Sequence, residues 1–179
     1  MSKLIEKNGI RMIRLDRVRL SFPALFKRET FEGKEGKFAA TALIPKTDKA
    51  TKSLLDAEIA RAIKESKVKV PAANICLRDG DDVDREGYEG MWSLKASSNN
   101  RVTVKNRDNS PLTEDDEVLY PGCWVNMIIG FWVQNNAWGK KVNANLYGVQ
   151  FVADDEEFGS GRPDVDDVFE DVDVDTEGL

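Results

Sequence analysis

Residues 122–134, GCWVNMIIGFWVQ, and 140–152, KKVNANLYGVQFV, decide how the chain is read. In the first stretch Cys123, Val125, Met127, Ile129, Phe131 and Val133 alternate with Trp124, Asn126, Ile128, Gly130, Trp132 and Gln134. An unbroken apolar set at period two marks a strand with one face in a core. In the second stretch Val142, Ala144 and Leu146 take the core side, and Lys141, Asn143, Asn145 and Tyr147 share the other. The connection NNAWG holds two asparagines and Gly139, as a hairpin requires. Trp138 falls at its tip, followed by Lys140 and Lys141.

Similar alternation recurs upstream. Over 11–22 it sets Val18, Leu20 and Phe22 against Arg17, Arg19 and Ser21. Phe38, Ala40, Ala42 and Ile44 repeat it before Pro45, and Glu32–Lys37, with Gly33 and Gly36, reads as the turn between these strands. Further strands are expected at 91–98, where Trp92, Leu94 and Ala96 face the core, and at 101–107, with a turn at Ser98–Asn100. Residues 48–67 instead carry Leu55, Ile59, Ala62 and Ile63 at helical spacing, with Thr47 or Asp48 as N-cap. Many short strands and one helix predict a mainly β fold, an OB-fold-like antiparallel barrel.

The 179 residues suffice for one domain with its own core. Histidine is absent, which excludes every mechanism with a histidine base and every site that needs an imidazole. Cys76 and Cys123 form no CxxC motif and read as free, buried thiols in a reducing compartment. The N-terminus MSKLIEKNGIRMIRL lacks the apolar stretch of a signal peptide, and no run approaches the roughly 18 apolar residues of a membrane span. A soluble, intracellular protein without a membrane role or cofactor is expected.

The net charge of −6 hides a division. Residues 153–179 carry twelve acids and one base, Arg162, for −11; residues 1–152 carry 25 bases and 20 acids, for +5. Such asymmetry points to nucleic-acid or membrane contact and to an interaction tail. The natural division is a domain over 1–153 and a disordered acidic tail over 154–179, since like charges and Gly159, Ser160, Gly161 and Pro163 oppose ordering. Val165, Val168, Phe169, Val172 and Val174 are spaced among the acids, which suits a tail that recruits partners or masks the body better than one that only solubilises.

A basic body with outward aromatics suggests single-stranded nucleic acid. On 101–107 the residues Arg101, Thr103, Lys105 and Arg107 point one way and Val102 and Val104 the other, a cationic row suited to phosphates. Trp124, Trp132, Trp138 and Tyr147 are the candidate stacking rings, with Tyr88 contributed by a loop, and Lys140 and Lys141 extend the cations. Rings take unpaired bases and cations the backbone, so the pairing selects single strands with little sequence preference.

These residues also resemble a family. YPGCWVNMIIGFWVQNN (120–136) and GKKVNANLYGVQFVADDEE (139–157) are similar to the C-terminal half of bacteriophage single-stranded-DNA-binding proteins. RLSFPALF (19–26), FAATALIPK (38–46) and DGDDVDREGYEGMWSLKASS (79–98) extend the resemblance over most of 11–157. Its most specific pieces are Tyr120–Cys123 and Leu146–Gln150. The resemblance implies a single OB-fold with an acidic C-terminal tail, which coats single strands during phage replication and recombination in the cytoplasm of the infected bacterium. It also implies recruitment of replication or recombination enzymes through the tail. Tails of this kind typically end in an aromatic residue, whereas this one ends Thr176-Glu177-Gly178-Leu179, so Leu179 or the Val168–Phe169 pair would take that part. Exposed strand edges also leave room for a homo-oligomer.

Two other readings compete. Asp79, Asp81, Asp82 and Asp84 invite a metal-dependent nuclease, although their spacing is that of no calcium loop and no bidentate glutamate follows. An acidic phage adaptor or DNA mimic would explain the tail but not the basic strand or the outer tryptophans.

Overall fold

The computed structural model describes residues 1–159 and 168–172. Its strands are β1 (Lys3–Lys7), β2 (Ile10–Ala24), β3 (Thr30–Phe31), β4 (Lys34–Glu35), β5 (Phe38–Pro45), β6 (Leu77–Asp79), β7 (Met91–Ser98), β8 (Thr103–Lys105), β9 (Trp124–Asn136) and β10 (Gly139–Ala153). A single α-helix, α1 (Lys49–Ser66), follows β5. Five strands form a ring in the order β2-β5-β7-β10-β9 and back to β2. All neighbours are antiparallel except β7 and β10, which close the ring in parallel at Ser97 and Asn145. This is the expected OB-fold-like arrangement. β1, β6 and β8 extend it by pairing with β2, β7 and β10.

The alternation of β9 and β10 is realised as read as far as Ile129, while Phe131 and Val133, nearer the hairpin tip, are half-buried. Cys123, Val125, Met127 and Ile129 are fully buried, and Val142, Ala144 and Leu146 pack with them. Leu15, Val18, Leu20, Ala42, Ile44 and Leu94 complete the core. Ala137 and Trp138 make a two-residue turn between Asn136 and Gly139, which pair. Helix α1 contributes buried Leu55, Ile59 and Ala62. Asp48 caps it by accepting from the Thr51 N–H, one of the groups a helix start leaves unpaired. Glu58 of the helix is also buried, and Arg11 of β2 donates two hydrogen bonds to it, 2.8 and 2.9 Å. That pairing, opposed by burial, holds the Glu58 carboxyl below its usual range. Trp92 is half-buried rather than fully in the core, with the ammonium groups of Lys46 and Lys52 4.6 and 4.4 Å from its ring centroid.

Three expectations change. The register of β2 against β5 slips between Ser21 and Ala24, so Phe22 turns outward, 56% exposed, while Ser21 is buried. A bulge adds a residue and reverses every face beyond it. The expected turn at Glu32–Lys37 contains half of a small hairpin, β3–β4, with Phe31 exposed. The strand expected at 101–107 is paired only over Thr103–Lys105.

The C-terminal segment does not leave the body at residue 154. Arg19 donates to the Glu156 carbonyl at 3.0 Å, and the Phe158 N–H donates to the Pro121 carbonyl at 2.9 Å. Gly122 holds a φ of +110°, and a Cβ there would lie 2.2 Å from the Glu156 oxygen, so only glycine admits the strap. The tail beads Val165 and Val174, and Leu179, lie outside the described residues.

Candidate nucleic-acid interface

The outward face of the β9–β10 hairpin carries the chemistry. Register sets Trp132 directly across from Asn143, Gly130 across from Asn145, Gln134 across from Lys141 and Asn126 across from Gln150. The Asn143 amide donates to Gln134 at 2.8 Å and that of Asn126 to Gln150 at 3.2 Å, which fixes the amide rows. Tyr147 sits where the β10 register slips between Leu146 and Gly148. Its ring lies over Gly130: a Cβ there would stand 3.1 Å from both Tyr147 Cε2 and the Arg11 carbonyl. A residue with a side chain at position 130 would displace the ring. Trp132 is 38% exposed and Tyr147 half-buried, so each presents part of an aromatic surface to solvent among amides.

Cations border this face unevenly. Lys141 is on it. Lys105 of β8 pairs with Gln150 and continues the row, and Arg101 shares a concavity of about 320 Å³ with Tyr147, Asn99 and Asn100. Arg107, beyond the end of β8, instead sets its guanidinium 5.5 Å from the Phe151 ring centroid. Trp138, 83% exposed, and Lys140 stand at the hairpin tip, beyond the paired amides. The structure thus places Lys105, Trp132, Lys141 and Tyr147 along one outward face, with Lys141 and Lys105 towards opposite ends of β10 and Arg101 beside Tyr147, and sets Arg107, Trp138 and Lys140 off that face.

Of the other expected rings, one is buried and one is partly covered. Tyr88 is buried, 4% exposed, with its hydroxyl 2.8 Å from the Ser21 hydroxyl, so it offers no ring face to a base. Trp124 lies beneath the strap: its indole N–H donates to Asp155 at 2.8 Å. The Glu156 N–H and then the Trp124 indole hold the Asp155 carboxyl below its usual range. The Tyr120 hydroxyl donates to Asp154 at 2.9 Å; burial and then that carboxylate push the phenol up. Arg19 is stacked between two rings, 5.9 Å from the Trp124 centroid and 4.3 Å from that of Phe158. Phe158 in turn rests on Gly87, where a Cβ would lie 2.2 Å from the ring. Arg19 and Phe158 escaped the reading of the sequence. The available signal was one aromatic residue between Glu157 and Gly159 in an otherwise polar run.

The acidic loop holds no metal arrangement. Asp79 and Asp81 both accept from the Lys46 ammonium at 2.6 Å, which holds both carboxyls low. Among the described residues no three acidic, cysteine or histidine side chains are grouped to hold a metal ion. Nor is any described helix long and apolar enough to cross a membrane.

Comparison with known proteins follows the same line. The family model described as the ssDNA-binding protein of Enterobacter phage Enc34 matches residues 11–179. "Putative protein p50" of Acyrthosiphon pisum secondary endosymbiont phage 1 is 38% identical over 161 residues, 83% of this chain and 87% of that protein. The structure of the single-stranded DNA-binding protein from bacteriophage Enc34 in complex with ssDNA superposes with a TM-score of 0.76 at 38% identity, covering 83% of this chain and 89% of that one. The gp2.5 protein of bacteriophage T7, a single-stranded DNA binding protein, superposes at 0.57 over 90% of this chain and 98% of that one; at 13% identity this likeness concerns the fold alone.

Proposed function

The chain belongs to the family of the Enterobacter phage Enc34 ssDNA-binding protein, and we propose that it coats single-stranded DNA across the outward face of the β9–β10 hairpin. This is a phage single-stranded-DNA-binding protein, a stoichiometric binder and not an enzyme. Trp132 and Tyr147 stack on unpaired bases, and Lys141, Lys105 and Arg101 meet the phosphates. One observation carries this reading: two partly exposed rings stand among paired amides on a hairpin whose residues 122–153 include no acidic side chain. Rings accept any base, so sequence preference is weak, and counterion release makes affinity fall with salt.

The acidic C-terminal segment acts on the same face. Its first residues lie on Trp124 and Arg19, which supports a tail that competes for the binding surface and that DNA displaces. Released, the segment recruits replication or recombination proteins in the cytoplasm of the infected bacterium. The test is a titration with oligo-dT, followed by tryptophan fluorescence at two salt concentrations. Quenching that weakens with salt, and that Trp132→Ala or Tyr147→Ala reduces, is the expected result. Absence of binding at low salt would refute it.

A further inference from the structure

Where the ring of strands closes, the amides of the outward face change character. On either side they are paired, Asn143 with Gln134 and Asn126 with Gln150. Between these pairs Asn145 stands across from Gly130 and beside Ser97, and its amide has no hydrogen-bond partner among the described residues. The side-chain amides of Asn99 and Asn100 likewise have none, and the Arg101 guanidinium has neither a hydrogen bond nor an ion pair among the described residues. All four side chains, with Tyr147, line the concavity of about 320 Å³. Residues 154–159 do not line it, so it is present whether the strap is docked or displaced.

The backbone that carries these groups is fixed. The Asn100 N–H donates to the Ser98 hydroxyl at 3.0 Å. Arg28, its guanidinium 4.9 Å from the Phe38 ring centroid, donates to the Asn99 carbonyl. Phe38 in turn pairs with Ser98, and buried Val102 anchors the other end of the loop. These contacts engage backbone groups and Ser98, which leaves the Asn99, Asn100 and Arg101 side chains free to meet a ligand. Groups held in place beforehand cost little to order on binding, and a few such polar groups suffice to select a ligand.

Among the described residues no acidic side chain lines the concavity, so it does not suit a cation. Three amide oxygens are acceptors and oppose a phosphate among them. A nucleobase edge, which both donates and accepts, suits the set. Guanine alone of the four bases offers two adjacent acceptors, O6 and N7, beside two adjacent donors, N1–H and the 2-amino group. A guanidinium fork takes the first pair and amide oxygens the second. We infer that this concavity reads one guanine: Arg101 donates to O6 and N7, the amides of Asn99, Asn100 and Asn145 accept from N1–H and the 2-amino group, and Tyr147 stacks on the ring. Arg101 carries five N–H donors, enough for a base edge and a phosphate together. The volume is at the small end of ligand pockets and holds one base. The preference is therefore local, one position in a footprint of about ten nucleotides. The chain still coats any sequence and gains affinity where a guanine falls in the pocket. The inference rests on the ssDNA-coating reading above.

The experiment places a single dG at each position in turn of a dT oligonucleotide of about ten nucleotides, which holds one OB-fold. Each is compared with all-dT on the full-length protein. The readout is the ratio of the two affinities, which cancels whatever Arg101 contributes at the phosphates. Wild type should bind about fivefold more tightly, or better, with dG at one position or two adjacent ones, the low end of the range for a bidentate base contact. 7-Deaza-dG there, which lacks the N7 acceptor, should lose most of the gain. Arg101→Lys keeps the charge but not the fork; it should bring the ratio near one and bind dG and 7-deaza-dG alike. Asn145→Ala should lower the ratio as well. A ratio near one at every position, or an Arg101→Lys variant that keeps the wild-type ratio, would overturn the guanine pocket and leave the DNA reading standing. An equal gain from dA at the same position would reduce the effect to purine stacking and overturn it too. Absence of binding to all-dT at low salt would overturn the DNA reading itself, and the pocket with it.

Discussion

Removing the Phe158 ring should loosen the strap and strengthen DNA binding. The ring stacks 4.3 Å from the Arg19 guanidinium and is half-buried against Gly87. A partly exposed cation–π pair contributes about 0.5–1 kcal/mol. Half of the burial worth of a phenylalanine adds roughly 1 kcal/mol. Phe158→Ala therefore shifts the docked-to-free equilibrium by about 1.5–2 kcal/mol, or about ten- to thirtyfold. That factor is the ceiling on the gain in affinity, reached when the strap is almost fully docked in the parent. We expect oligo-dT binding at low salt to tighten severalfold, and the gain to shrink at high salt, where the acidic segment is screened. The Trp124 indole N–H resonance gives an independent readout, because it reports the bond to Asp155. If that resonance shows the strap released while affinity at low salt stays unchanged, competition by the strap is refuted.

Other outcomes follow from the same geometry. Lys105→Ala should weaken oligo-dT binding and reduce the steepness of the log-affinity against log-salt plot by about 0.7, the share of one phosphate contact on a single strand; an unchanged slope would remove Lys105 from the DNA path. Asp155, held below its usual range in the docked strap, stabilises docking above the ordinary carboxylate range, and this contribution is lost as pH falls through the lowered value. The Trp124 indole resonance should therefore move on acidification, and Asp155→Asn should abolish the movement. Leu94→Ala, at a fully buried position, should cost about 2–5 kcal/mol in denaturant unfolding. Burial pushes the Cys76 thiol up to about 12, so it should react slowly with a thiol reagent at pH 8 in the folded protein and quickly once unfolded.

Alternation along the chain was enough to identify the buried sides of β9 and β10, because a strand that faces a core on one side alternates whatever it pairs with. It made Val125, Met127 and Ile129 core and put Trp132, Asn143 and Tyr147 outside. Helical spacing likewise marked α1 and a cap at Thr47 or Asp48, of which the fold uses Asp48, since both are set within a few residues. The division between basic body and acidic end is pure composition. Tertiary structure decided the rest. The bulge after Ser21 turned Phe22 outward, because one extra residue inverts a period of two and nothing in the pattern counts it. Tyr88 went inside because its hydroxyl finds Ser21, 67 positions away. Trp124 was outward by phase yet partly covered in fact, by a strap whose Glu156 meets Arg19 across 137 positions. Local sequence specifies which way a side chain points; only the folded chain determines what arrives to cover it.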